Sequence, residues 1–170
     1  MNSNSELTIQ EFVSLLWEQF SLQNFLTKGT EQFEPETTSD LLQYGHIKGW
    51  LEDQDQVYCN QIIDKRTAAR ILHQFMKIQL NQKDIQNISE AEILKDLYSC
   101  RVCANHVAQI FLKKIMDCEE IELNGERGFI FNMLKPVTRK EADSSILKMF
   151  DYSINFAILS HQASNSGSSF

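Results

Sequence analysis

Three groups of residues in this 170-residue chain have types and spacing suited to chemistry. The first is Thr138-Arg139-Lys140-Glu141, ahead of an apolar run. A helix starting here leaves backbone N–H groups unpaired, and a guanidinium beside them could grip a carboxylate through two parallel hydrogen bonds. The plainer alternative is that Glu141 completes a capping box with Thr138 and Arg139 makes a structural ion pair. The second group is Lys65-Arg66, two cations at a helix start, where the dipole prefers anions. They call for a bound acidic group or for an acidic neighbour such as Asp53 or Asp55. The third is Cys100-x-x-Cys103-x-x-His106, with Cys118 downstream. Thiolates and an imidazole at this spacing could hold a metal or work as a redox dithiol. A second CxxC knuckle is missing, Cys59 is far away, and no thioredoxin-like pattern surrounds the motif. Buried free thiols at a helix interface are the default. No metal or other cofactor is therefore assigned.

Trp50 follows the Gly45–Gly49 stretch and could stack on a sugar face, or simply close a loop onto the core. Glu52-Asp53-Asp55 falls short of a calcium loop and reads as a solvated face. No Gly-rich phosphate loop, H-E-x-x-H or nucleophile elbow is present. His46, His73, His106 and His161 are scattered, so a non-catalytic protein is expected.

These groups need helices to position them. Asp64 can cap a helix over residues 63–80, whose Ala68, Ile71, Leu72, Phe75, Met76 and Leu80 form one apolar stripe. The same opening occurs at Thr8, with Glu11 three residues on and Phe12, Leu15, Leu16 and Phe20 facing inward. It occurs again at Thr138, with Ile146, Leu147, Phe150, Ile154 and Ile158 running to about Ser160. Between them the sequence predicts a connection over 21–36, a short helix from Thr37 to about His46, and a loop into Asp64. A linker over 81–87, a short helix from Ser89 through Leu97 and a helix over 102–116 come next. A Gly125-containing turn with a brief extended piece then leads to Pro136. Three similar openings roughly 55 to 75 residues apart constitute an internal repeat. The expected fold is all-α: residues 1–6 frayed, 7–160 one domain of repeats (7–62, 63–136 and a partial 137–160), and 161–170 a disordered tail.

The net charge of −7 argues against a nucleic-acid partner, which needs clustered Lys and Arg. Apolar residues make up 42% of the chain, ordinary for a globular protein, with no run long enough to span a bilayer. The N-terminal residues lack a secretory pattern. A cytoplasmic location is expected, or a cell-surface one if the chain is a fragment of an exported protein.

The three openings resemble those of the S-layer homology family, whose units begin with a hydrophobic-Thr-Arg-Ala-Glu-Ala signature. Val137-Thr138-Arg139-Lys140-Glu141-Ala142 is similar throughout, and Ile63-Asp64-Lys65-Arg66-Thr67-Ala68-Ala69 has Lys in the arginine place. Leu7-Thr8-Ile9-Gln10-Glu11-Phe12 keeps Thr and Glu but has Ile there. Gly45-His46-Ile47-Lys48-Gly49-Trp50 resembles the family's closing turn, and Lys114-Ile115-Met116, followed by Asn124-Gly125 and Phe129, looks like a second copy. The likeness implies S-layer-homology-like helical repeats around a central three-helix bundle. It also implies inter-repeat grooves that bind an anionic, pyruvylated cell-wall polysaccharide. Arg139, Lys65, Arg66, Trp50, Thr138, Glu141 and Gly49 would be the ligand-binding residues. The competing expectation is an intracellular scaffold that binds an acidic protein ligand or forms a homo-oligomer. A weaker one is a metal protein using Cys100, Cys103, His106 and Cys118.

Overall fold

A computed structural model describes residues 4–27 and 33–166, with side chains over 4–23 and 33–159. It contains six α-helices: α1 (Ile9–Thr27), α2 (Thr38–Lys48), α3 (Asp53–Val57), α4 (Lys65–Ile78), α5 (Arg101–Leu112) and α6 (Arg139–Ser166). Two strands, β1 (Glu119–Leu123) and β2 (Glu126–Ile130), and two short 3-10 segments, Ser89–Ile93 and Leu97–Ser99, complete the described chain.

The three capped openings meet at one point. The N–H of Leu7 donates to the carbonyl of Val137, that of Val137 to Ile63, and that of Ile63 back to Leu7, at 3.0, 3.0 and 2.9 Å. One step outward the pattern recurs. Ile9, Lys65 and Arg139, the first residues of α1, α4 and α6, donate to the carbonyls of Gln61, Lys135 and Ser5. Each chain entry into a helix is thus anchored by the segment leading into another, which satisfies amides a helix start would otherwise leave unpaired. Glu11 and Glu141 close capping boxes with Thr8 and Thr138, and Asp64 accepts from the Thr67 N–H at 2.7 Å. Deeper down, Phe20 of α1 touches both Phe75 of α4 and Phe150 of α6, with ring centroids 5.2 and 6.4 Å apart. Phe12, Leu16, Ile71, Leu72, Met76, Val107, Ile110 and Ile146 are buried with them.

The ends of α2 and α5 are built alike. Gly49 takes a left-handed conformation (φ 89°) and Trp50 donates back to the Gly45 carbonyl. Lys114 is left-handed too (φ 56°), and Ile115 donates back to Ile110. In both cases the next side chain, Trp50 or Ile115, is fully buried.

Several sequence expectations change. Helix α1 continues through Thr27, into the segment expected to be a connection, because neither glycine nor proline interrupts residues 21–27; the expected connection over 28–32 lies outside the described residues. The expected acidic loop contains α3, with Asp55 buried against Arg70 rather than solvated. The helix over 102–116 ends at Leu112, and the one expected from Ser89 resolves into the two 3-10 segments. The fold is mainly helical rather than wholly so. Residues 119–130 form an antiparallel hairpin whose turn residues Asn124 and Gly125 both have positive φ, as a two-residue hairpin turn requires. Leu147, Ile154 and Ile158, expected in the core, are about half exposed: Leu147 falls on the outer face of α6 beside buried Ile146 and Phe150, and residues 154–159 are exposed throughout. The expected tail is helical as far as Ser166, and 167–170 lie outside the described residues. At the other end Glu6 bridges Thr138, while 1–3 also lie outside.

Candidate functional site

Three grooves open around the point where the helix starts meet, and each is lined by residues from two of them. Groove I, about 400 Å³, has Ile9 from the first start and Arg66 from the second, with Arg70, Cys100, Cys103 and His106 as its far wall. Groove II, about 530 Å³, has Lys65 from the second start and Thr138, Lys140 and Glu141 from the third, with Lys135 and Lys148 beside them. Groove III, about 330 Å³, has Arg139 from the third start and Gln10 and Glu11 from the first. The arrangement follows from the ring of backbone bonds. Successive openings lie side by side, so the first helical residue of one faces the second helical residue of the next.

The residues singled out from sequence are therefore divided among the grooves. Lys65, Thr138 and Glu141 share groove II, Arg139 lies in groove III, and Arg66 lies in groove I. Trp50 is fully buried, stacked on Trp17 and edge-on to Phe75, so it presents no face to a sugar. Gly49 terminates α2, and neither residue lines a groove. The proposed acidic partners of Lys65 and Arg66 are also engaged elsewhere. Asp53 contacts His46 and Asp55 contacts Arg70, while Arg66 pairs with Asp64 at 3.1 Å.

Groove II concentrates charge. Lys65 is 5% exposed, and its Nζ donates to the Asp117 carbonyl at 2.7 Å and lies 4.4 Å from the Phe131 ring centroid. Burial pushes its pKa down, with Glu119 and Glu141 opposing. Lys135 donates to Glu119 at 2.7 Å, which raises the lysine and lowers the carboxyl. Burial pushes Glu141 up, but hydrogen bonds from Thr138 and the charge of Lys135 together hold it below its usual range. Lys148 pairs with Asp117. Lys140 is exposed at the rim, whereas Lys135 and Lys148 make ion pairs and Lys65 is held by a backbone carbonyl. Arg139, in groove III, pairs with Asp143 one turn along α6.

Behind groove I, which His106 lines, lies a second constellation that sequence reasoning did not assemble. Asp84 accepts from His73 Nε2 at 2.8 Å, and His73 Nδ1 lies 2.8 Å from His106 Nδ1. A carboxylate only accepts, so His73 donates from Nε2 and, when neutral, accepts at Nδ1 from His106. Burial, then the neighbouring His73, lowers His106 to about 4. Burial likewise lowers His73. The available signal was His73 itself, a polar residue on the apolar stripe of α4, where a buried imidazole needs a partner. The partner is thirty-three residues away, and sequence spacing does not show it.

Cys100 and Cys103 form a disulfide, which replaces the expected free thiols; Cys59 and Cys118 are free and half-buried. Cys118 lines groove II, not groove I, so Cys100, Cys103, His106 and Cys118 do not converge. Among the described residues no group of three or more His, Cys, Asp or Glu is placed to hold a metal, and no helix is long and apolar enough to cross a membrane. Comparison with known proteins finds no matching family model, no matching curated protein and no matching solved structure.

Proposed function

We propose that this chain is a non-catalytic binding module of the S-layer homology type, and that groove II takes the acidic group of an anionic cell-wall polysaccharide. The observation that carries this reading is the cyclic exchange of backbone bonds among Leu7, Ile63 and Val137, which sets Lys65 and Lys140 on one groove. The matched ends of α2 and α5 support a repeat of two full units and a partial third. Lys140 supplies an accessible cation, and Lys65 and Lys135 are already fixed by neighbours, so little side-chain entropy is lost on binding. The contact set differs from the one the resemblance implied: Trp50 and Gly49 are structural, and Arg139 and Arg66 belong to the flanking grooves.

The test is retention of the chain on immobilised pyruvylated cell-wall polymer. Lys140→Glu should abolish retention while leaving the helical circular dichroism unchanged. Equal retention of the variant and the parent would reject groove II as the site.

One feature favours a second reading, a scaffold that associates through α6. Ile154, Phe156, Ile158 and Leu159 are exposed together along its outer end. Light scattering would show a dimer or larger species that Ile154→Glu/Ile158→Glu converts to a monomer.

A further inference from the structure

Groove I has chemistry that glycan binding does not use. Its far wall carries the Cys100–Cys103 disulfide at the start of α5, with Cys100 in the N-cap position and making no side-chain capping bond. His106 follows Cys103 by one helical turn, so the two occupy neighbouring places on the helix surface. Asp84 and His73 hold the imidazole from behind through Nδ1, which leaves the Nε2 lone pair for the groove that His106 lines. As a staple, a bridge across three residues of sequence achieves little, since constraining the unfolded chain is worth less the shorter the loop closed.

We propose that Cys100 and Cys103 form a thiol–disulfide exchange site for a dithiol entering groove I, with His106 Nε2 accepting a hydrogen bond from the incoming thiol. An incoming thiolate attacks one sulfur of the pair. A mixed disulfide forms, the Cys100–Cys103 bond breaks, and the other cysteine leaves as a thiolate. The α5 N-terminus favours that negative charge through its unpaired amides and its dipole. The second thiol of the substrate, hydrogen-bonded to His106 Nε2, gives its proton through water to the departing thiolate. It then attacks the mixed disulfide, and the sulfur it displaces takes up the proton that the first thiol had given to water. The substrate leaves as a disulfide, oxidised by two electrons, and the protein keeps two thiols, reduced by the same two. The reverse sequence reoxidises the pair at the expense of another disulfide. Burial holds His106 neutral near pH 7, so Nε2 accepts a hydrogen bond from the thiol without taking its proton. Asp84 and His73 are positioning residues that fix which ring nitrogen is free.

The test uses the full chain carrying Cys59→Ser and Cys118→Ser, with dithiothreitol as the dithiol and thiol alkylation followed by mass measurement as the readout. In native buffer the disulfide should open at least about tenfold faster than in the same chain unfolded in urea, since a stabilised leaving thiolate departs faster. His106→Leu should slow opening by about tenfold near pH 7, with the pH slope still that of the attacking thiol's ionisation. Asp84→Asn should slow opening in the same direction while leaving the disulfide formed. Opening that is no faster in the folded than in the unfolded chain would overturn the proposal. So would a His106→Leu chain that opens at the parent rate.

Discussion

The Nδ1 atoms of His73 and His106 lie 2.8 Å apart and share one proton, with Asp84 anchoring the far side of His73. A second proton would put two cations in contact inside a site already facing Lys77, Lys113 and Arg70. The folded chain therefore resists protonation of His106 down to about pH 4, whereas the unfolded chain takes up that proton near pH 6.5. The unfolded state binds more protons between these values, so stability present above pH 6.5 falls as the pH drops towards 4. Thermal melts across this range should show a loss of about 2 kcal/mol from this group, allowing for its partial contact with water. His106→Gln should remove most of that slope. An equally steep slope in the variant would assign the acid sensitivity to other groups.

Asp55 is 1% exposed and accepts from Arg70, whose Nη1 is buried without a hydrogen-bond partner of its own. Removing the cation alone leaves a buried carboxylate with the Glu52 N–H as its remaining donor and no opposite charge against it. Arg70→Met should cost about 3 kcal/mol or more in urea unfolding. Arg70→Met combined with Asp55→Leu should recover a large part of that loss, because neither charge is left unpaired.

Gly45 is needed for space rather than for backbone freedom. A Cβ there would lie 2.7 to 2.9 Å from side-chain atoms of Leu51 and Trp50, both buried. Gly45→Ala should destabilise by about 1–3 kcal/mol, the usual range for overpacking. Gly125 is the reverse case, with nothing within 4 Å but φ at 80°. Gly125→Ala should cost about 1 kcal/mol, confined to the hairpin and visible as faster amide exchange in β1 and β2.

Capping residues and apolar stripes made the long helices legible. Thr8, Asp64 and Thr138 cap α1, α4 and α6, and Phe12, Leu16, Ile71, Phe75, Ile146 and Phe150 are buried where their spacing placed them. These are local signals, set by hydrogen bonds within one turn and by the helical period. Thr138→Ala should accordingly cost about 1 kcal/mol in urea unfolding. The hairpin was half legible. Asn124-Gly125 marks the turn, but Glu119–Leu123 is acidic and exposed and carries little strand pattern. The site was the least legible part. Whether Lys65 faces Lys140, or His73 meets His106, depends on how helices distant in sequence dock. The choice for Trp50 between a sugar face and the core, where it is buried, stayed open because a loop aromatic can face inward or outward without changing the local sequence pattern.

The central claim is that acidic glycan binds where the second and third helix openings meet. Amide chemical shifts of the labelled chain, followed during titration with a pyruvylated disaccharide, test it most directly. The account predicts saturable shifts clustered at Lys65, Lys135, Thr138 and Lys140, absent for the same disaccharide without its pyruvyl group and absent in Lys140→Glu. Saturable shifts confined to groove I or groove III, or no shifts at all, would contradict it.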